Sequence, residues 1–158
     1  MSSGVKKIIA GIFIIQCFIA CDNNRVYEEN LKINDSIWER EEIARFEFDI
    51  EDSTANYELY LNFRHAGDYP YRNLYLFTHS IRPDGKQAND TAQMLLADSR
   101  GKWMGKGIGD IYDYQFKFKE GVLFPQRGTY SIGIEQAMRT KSLTNVTDIG
   151  ISIKRVNK

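Results

Sequence analysis

Apolar and polar residues alternate along most of this chain. Phe46, Phe48 and Ile50 interleave with Arg45, Glu47 and Asp49; after Glu51-Asp52-Ser53, the residues Tyr57, Leu59, Leu61 and Phe63 interleave with Glu58, Tyr60, Asn62 and Arg64. Successive strand side chains face opposite sides of a sheet, so this period of two predicts half-buried strands. It puts Phe48 and Ile132 inside, and Glu47 and Ser131 outside. Residues 73–82 carry Leu74, Tyr75, Leu76 and Phe77 on both faces, the pattern of a central strand, and Pro83-Asp84-Gly85 closes it with a turn. Further strands are predicted at Tyr114/Phe116/Phe118, Tyr130/Ile132/Ile134 and Ile149/Ile151/Ile153. For Thr91–Ala97 a strand is preferred to a short helix capped by Asp90. The one other helical signal, at Glu135–Ser142, predicts a turn or two. Alternation broken by turn clusters predicts an all-β fold, an antiparallel, jelly-roll-like β-sandwich with a short helical turn near its C-terminal region.

The first twenty residues depart from this pattern. Lys6 and Lys7 precede an apolar run from Ile8 to Ile19, and Ala20 is followed by Cys21. A basic start, an apolar stretch and a small residue make a secretory signal. The run, broken by Gln16, is shorter than the ~20 residues a spanning helix needs. A cysteine directly after the small residue predicts a lipoprotein signal. The Cys21 thiol takes up diacylglycerol, and cleavage after Ala20 frees an amino group for a further acyl chain. Two or three chains anchor stably where one binds marginally. The expected organisation is a signal peptide over 1–20, a lipidated N-terminus and tether over 21–40, and a β-sandwich over 41–158. The polar segment 22–40 carries a possible first strand at Arg25–Tyr27 and an anchoring Trp38. Fully extended, a tether of that length reaches about 65 Å.

Charge and cysteine content narrow the function. The 158-residue chain has 21 basic and 21 acidic residues; losing Lys6 and Lys7 leaves 19 against 21, a net charge of −2. That balance gives no long-range attraction to nucleic acid. Of the two cysteines, Cys17 leaves with the signal and Cys21 is consumed by lipid. The mature domain therefore rests on apolar burial without a disulfide. His65 and His79 lack the compact ligand pattern of a zinc site, so a structural or surface role is expected for each, with no metal. No Ser lies in a G-x-S-x-G elbow, and no carboxylate pair stands out as acid and base. Gly101–Gly109 fails as a phosphate loop, because its spacing is one residue short and no Ser or Thr follows the lysine.

Two segments concentrate residues suited to binding. Arg64–Asn73 combines Arg64, Tyr69 and Tyr71 with Asp68 and Pro70, and Gly101–Asp110 sets Trp103 and Lys106 among four glycines. One reading makes each a structural feature: a tight corner in which Arg64 pairs with Asp68, and a long loop pinned by Trp103. The other joins them in a partner-binding rim of Arg64, Tyr69, Tyr71, Trp103 and Lys106, with Trp103 as anchor and Arg64 positioning it through a carboxylate.

Several runs lie in a recognisable order. They include Arg25-Val26-Tyr27-Glu28-Glu29-Asn30, Arg64-His65 with Asp68-Tyr69-Pro70-Tyr71, and Leu96-Ala97-Asp98. Gly101-Lys102-Trp103-Met104-Gly105-Lys106-Gly107, Gly128-Thr129-Tyr130 and Glu135-Gln136-Ala137-Met138-Arg139 follow. Together they resemble the gliding-motility lipoprotein family GldH of the Bacteroidota over essentially the whole mature chain. The resemblance implies a cell-envelope lipoprotein needed for gliding and linked to the type IX secretion apparatus. It implies other gliding and secretion envelope proteins as partners, no catalytic residue and no cofactor. The outer membrane is expected rather than the inner; Asp22 would favour the inner one only under enterobacterial sorting rules. The lineage also O-glycosylates Asp-Ser/Thr motifs, which makes Ser36, Ser53 and Thr91 candidates. The rival reading is a carbohydrate-binding β-sandwich on the envelope. A coplanar exposed platform of Trp103, Tyr69 and Tyr71 would favour a glycan, and their burial a scaffold.

Because Cys21 is the one acyl acceptor this signal presents, Cys21→Ala should yield an uncleaved precursor that incorporates no labelled palmitate. Normal labelling of that variant would rule the assignment out.

Overall fold

A computed structural model describes residues 24–156. Its strands are β1 (Arg25–Lys32), β2 (Ile37–Glu39), β3 (Ala44–Ile50), β4 (Asn56–Ala66), β5 (Asn73–Ile81) and β6 (Gln87–Leu95). They continue with β7 (Lys106–Ile108), β8 (Ile111–Leu123), β9 (Gly128–Gln136), β10 (Ser142–Thr144) and β11 (Val146–Val156). One sheet runs β1-β11-β4-β8-β7 and the other β3-β9-β5-β6, with β10-β2 as a small ribbon. All the pairings are antiparallel. Setting aside the three short strands, the first long strand pairs with the eighth (β1–β11) and the second with the seventh (β3–β9). The third pairs with the sixth (β4–β8) and the fourth with the fifth (β5–β6). That nested wrap of an antiparallel ribbon over two faces is a jelly roll.

The alternation decides which side chains meet between the sheets. Strand β3 alternates buried and exposed at every step, with Phe46, Phe48 and Ile50 inside. Tyr57, Leu59, Leu61 and Phe63 of β4 and Ile149, Ile151 and Ile153 of β11 face it across the core, joined by Leu74, Leu76, Tyr130, Ile132 and Ile134. Phe48 stacks on Tyr130 at 5.9 Å with planes 13° apart, and Phe124 packs edge-on against both. Strand β5 is central in its sheet, as its two apolar faces predict. Because that sheet is an outer layer, Leu74 and Leu76 are buried while Tyr75 and Phe77 lie on the surface. The strand expected around Thr91 is β6.

Two expectations need correction. Residues 25–39 do not form a tether: β1 pairs with β11 through seven of its eight residues, and Trp38 of β2 is fully buried, its Nε1 donating to the Glu42 carbonyl at 2.9 Å. As an edge strand β1 buries little, which is why it reads as polar in sequence. Nor does Glu135–Ser142 form a helical turn. Glu135 and Gln136 end β9, and the buried Gln136 side chain takes over the local hydrogen bonding: Oε1 accepts from Met138 N, and Nε2 donates to the carbonyls of Thr140 and Lys141. The single helical element among the described residues is a 3-10 turn at Asn34–Ser36, with Asp35 and Ser36 at positive φ.

Truncating a packed ring leaves a cavity that the sheets cannot close. Phe48→Ala should therefore cost about 3–5 kcal/mol in urea unfolding, against about 0.5 kcal/mol or less for its outward neighbour in Glu47→Gln. If Glu47 proved the sensitive position and Phe48 the tolerant one, the register would be inverted.

Candidate functional site

The loops split between the two ends of the sandwich, and the two segments singled out in the sequence meet at the same end. Gly67 N donates to the Asp110 carbonyl at 2.8 Å, Leu96 and Ala97 N both donate to the Arg72 carbonyl, and Arg72 Nη2 reaches the Asp98 carbonyl at 2.7 Å. Their aromatic residues turn inwards. Tyr69 is buried with Oη donating to the Asn73 carbonyl, Trp103 is half-buried, and Tyr71 stays exposed. These rings collect around His65, whose centroid lies 4.5 Å from Trp103, 5.2 Å from Tyr69, 5.5 Å from Phe63 and 5.7 Å from Tyr112. Tyr69 meets Tyr71 and Trp103 with planes 73° and 62° apart, so the three make no coplanar platform.

His65 is thus a core residue, while His79 lies on the surface beside Asn89 and Glu135. Nδ1 of His65 lies 2.8 Å from the Ala66 carbonyl and so carries the proton, and buried Nε2 meets no hydrogen-bonding group. Burial holds this imidazole below the ordinary histidine value.

Arg64, one residue earlier on β4, points to the opposite face. It pairs neither with Asp68 nor, through a carboxylate, with Trp103. Nη2 donates to Asp113 Oδ2 at 2.9 Å and Nη1 to Asp148 Oδ2 at 3.4 Å. The hydrogen bond to Asp113 raises the guanidinium pKa further. A row of amides continues the arrangement along the sheet: Gln115 Nε2 donates to Asn62 Oδ1 at 2.8 Å, and Asn62 Nδ2 donates to Asn30 Oδ1 at 3.1 Å. Asn30 crosses over β11 because position 150 is glycine, where a Cβ would collide with the Asn30 side chain and the Glu29 carbonyl. Together these residues floor a groove of about 920 Å3, walled on one side by Met104 and Lys106 and capped by Ile108, which is 88% exposed. Thr147 also lines it, at an irregularity in β11, with a buried hydroxyl that no other group satisfies.

Of the five rim candidates, Arg64 and Lys106 line this groove, Tyr71 is exposed but does not line it, and Tyr69 and Trp103 brace the loops from inside. The sequence reading missed Asn30, Asn62, Asp113, Gln115 and Asp148. A signal was present in Gly150, since a glycine within an otherwise apolar strand marks close approach by another group. Ser36 lies in the 3-10 turn and Ser53 in the β3–β4 turn, both half-buried, and Thr91 is exposed on β6. Asp52 accepts from Thr54 N and Oγ1, the turn-forming role such residues have on their own account. Cys21 and the signal segment 1–20 lie outside the described residues. Among the described residues no group of three or more His, Cys, Asp or Glu could hold a metal ion.

Residues 25–153 match the family described as GldH lipoprotein. A gliding motility lipoprotein GldH homolog of Christiangramia forsetii is 37% identical over 151 residues, covering 91% of this chain and 92% of that protein. The gliding motility lipoprotein GldH of Flavobacterium johnsoniae is 31% identical over 155 residues, covering 92% and 96%. Among solved structures, the VP2 subviral particle of infectious bursal disease virus matches with a TM-score of 0.39 at 12% identity, over 84% of this chain and 33% of that one.

The His65 environment fixes a pH dependence. Its folded-state pKa lies below the unfolded value of about 6.5, so its contribution to stability is complete above that pH and is lost as pH falls. One proton limits the slope to about 1.4 kcal/mol per pH unit. Urea midpoints should fall between pH 6.5 and 5, and less so in His65→Phe; an unchanged slope in that variant would place the titration elsewhere.

Proposed function

The chain belongs to the GldH lipoprotein family, whose relatives are gliding-motility lipoproteins, and we propose that it is a non-enzymatic scaffold of the gliding machinery and its associated type IX secretion apparatus. Anchored by lipid at the outer membrane, it binds another envelope protein through the groove over Arg64. The supporting observation is the composition of that groove. An apolar lip of Met104 and Ile108 overhangs a floor of guanidinium, carboxylates and amides that hold one another in place. Apolar anchors ringed by polar groups suit a protein partner. A sugar ring is better served by exposed, parallel aromatic faces, and here Tyr69 is buried and Trp103 half-buried.

Lys106, Ile108 and Tyr71 are exposed, so replacing them should cost about 0.5 kcal/mol or less. Ile108→Asp, Lys106→Glu and Tyr71→Ala should each abolish gliding and the capture of crosslinked partners, with export, abundance and melting temperature unchanged. Loss of abundance in step with function would instead mark these residues as structural.

A further inference from the structure

The end of the sandwich away from Arg64 carries Asn24, the first described residue. Arg155 N donates to the Asn24 carbonyl at 2.7 Å, so the chain is fixed to the sheet from Asn24 onward. Only Asp22 and Asn23 separate Asn24 from Cys21. Three Cα–Cα steps keep Cys21 within about 11 Å of Asn24 whatever path the chain takes. The long tether expected from sequence is therefore not available to lift the domain off the bilayer.

The registers show what else lies at this end. Val156 pairs with Asn56 and Asn56 with Leu123. Three strand spacings put Leu123 about 15 Å across the rim from Asn24. The turn 82–86 joins the same rim, since Gln126 Nε2 donates to Asp84 Oδ2 at 3.3 Å and Pro83 packs against Gly128. Leu123 is 61% exposed, and Val26, Val156 and Arg127 are also exposed; Arg82 lines the same cleft as Leu123, and Lys86 of the adjoining turn pairs with Asp84 at 3.7 Å. Leu123 further borders a cleft of about 220 Å3 lined by Phe118, Val122 and Pro125.

We propose that this rim rests directly on the lipid surface, with Leu123 in the acyl–headgroup boundary and the basic residues at headgroup level. This inference rests on the reading of Cys21 as the lipid anchor. The short spacer confines the rim to the bilayer, and the exposed apolar residues find there the burial that water denies them. The domain then stands on end. Arg64 is eight residues beyond Asn56 on β4, which puts Arg64 itself about 27 Å from the rim.

The test uses the lipidated protein in phosphatidylethanolamine–phosphatidylglycerol vesicles. Its native thiol at Cys21 is blocked by lipid, so Leu123→Cys and Lys106→Cys each offer one site for an environment-sensitive fluorophore. Lipid-borne doxyl groups should quench most of the emission at 123 and none at 106. Lengthening the spacer before Asn24 by about fifteen Gly/Ser residues, a mean reach of about 22 Å, should remove quenching at 123 while flotation with vesicles persists. Flotation without quenching at 123, or equal quenching at both sites, would overturn the seating alone. Quenching that survives the longer spacer would overturn the role given to spacer length. Failure of the lipidated preparation to float would overturn the anchor itself, and the seating with it.

Discussion

Strand β11 is the element on which the other features depend. It lies between β1 and β4 in the larger sheet and turns Ile149, Ile151 and Ile153 fully into the core. Burying a side chain of that size stabilises the fold by about 1.5–3 kcal/mol. Its outward face is just as constrained. Gly150 admits Asn30 from the neighbouring strand, Asp148 meets Arg64, and Arg155 holds Asn24 and pairs with Asp52 at 2.5 Å. Core, groove floor and the placement of the N-terminus thus follow from one strand's register. A slip by one residue would put the isoleucines in solvent and the polar row in the core.

Strand alternation was legible in the sequence because a two-layer sandwich has one wet and one dry face per sheet. Phe46 to Ile50 and Tyr130 to Ile134 carry that contrast openly. Strand β1 does not: at the sheet edge only Tyr27 and Leu31 pack against the core, too few to reveal a period among Glu28, Glu29 and Asn30. The segment after Gln136 was misread for another reason. Its polar groups bond to a buried amide side chain rather than to backbone one helical turn away, a choice that depends on Gln136 lying in the core. The groove was illegible because Asn30, Asn62, Gln115 and Asp148 come from four strands and meet only through register.

Adjacent residues on β4 link the groove to the core. Arg64 faces the polar floor while His65 faces the aromatic cluster, and the same alternation recurs on β8, where Asp113 faces out and Tyr112 in. The loops that carry Tyr71 and Met104 are therefore braced from behind by rings packed on His65. A loop held this way loses little conformational entropy on binding, which raises affinity without any added contact.

That bracing also explains why Trp103 and Tyr69 read as binding residues in sequence and yet lie within the structure. Glycines at 101, 105, 107 and 109 leave the 96–110 segment little side-chain surface of its own, and an ordered loop needs some apolar burial to offset its backbone entropy. Trp103, docked on His65 and aligned by the Ala97–Trp103 bridge, supplies it. With the large rings committed inward, the loop presents smaller groups to solvent: Met104, Lys106 and Ile108. The exposed lip of the groove is built on the aromatics rather than from them.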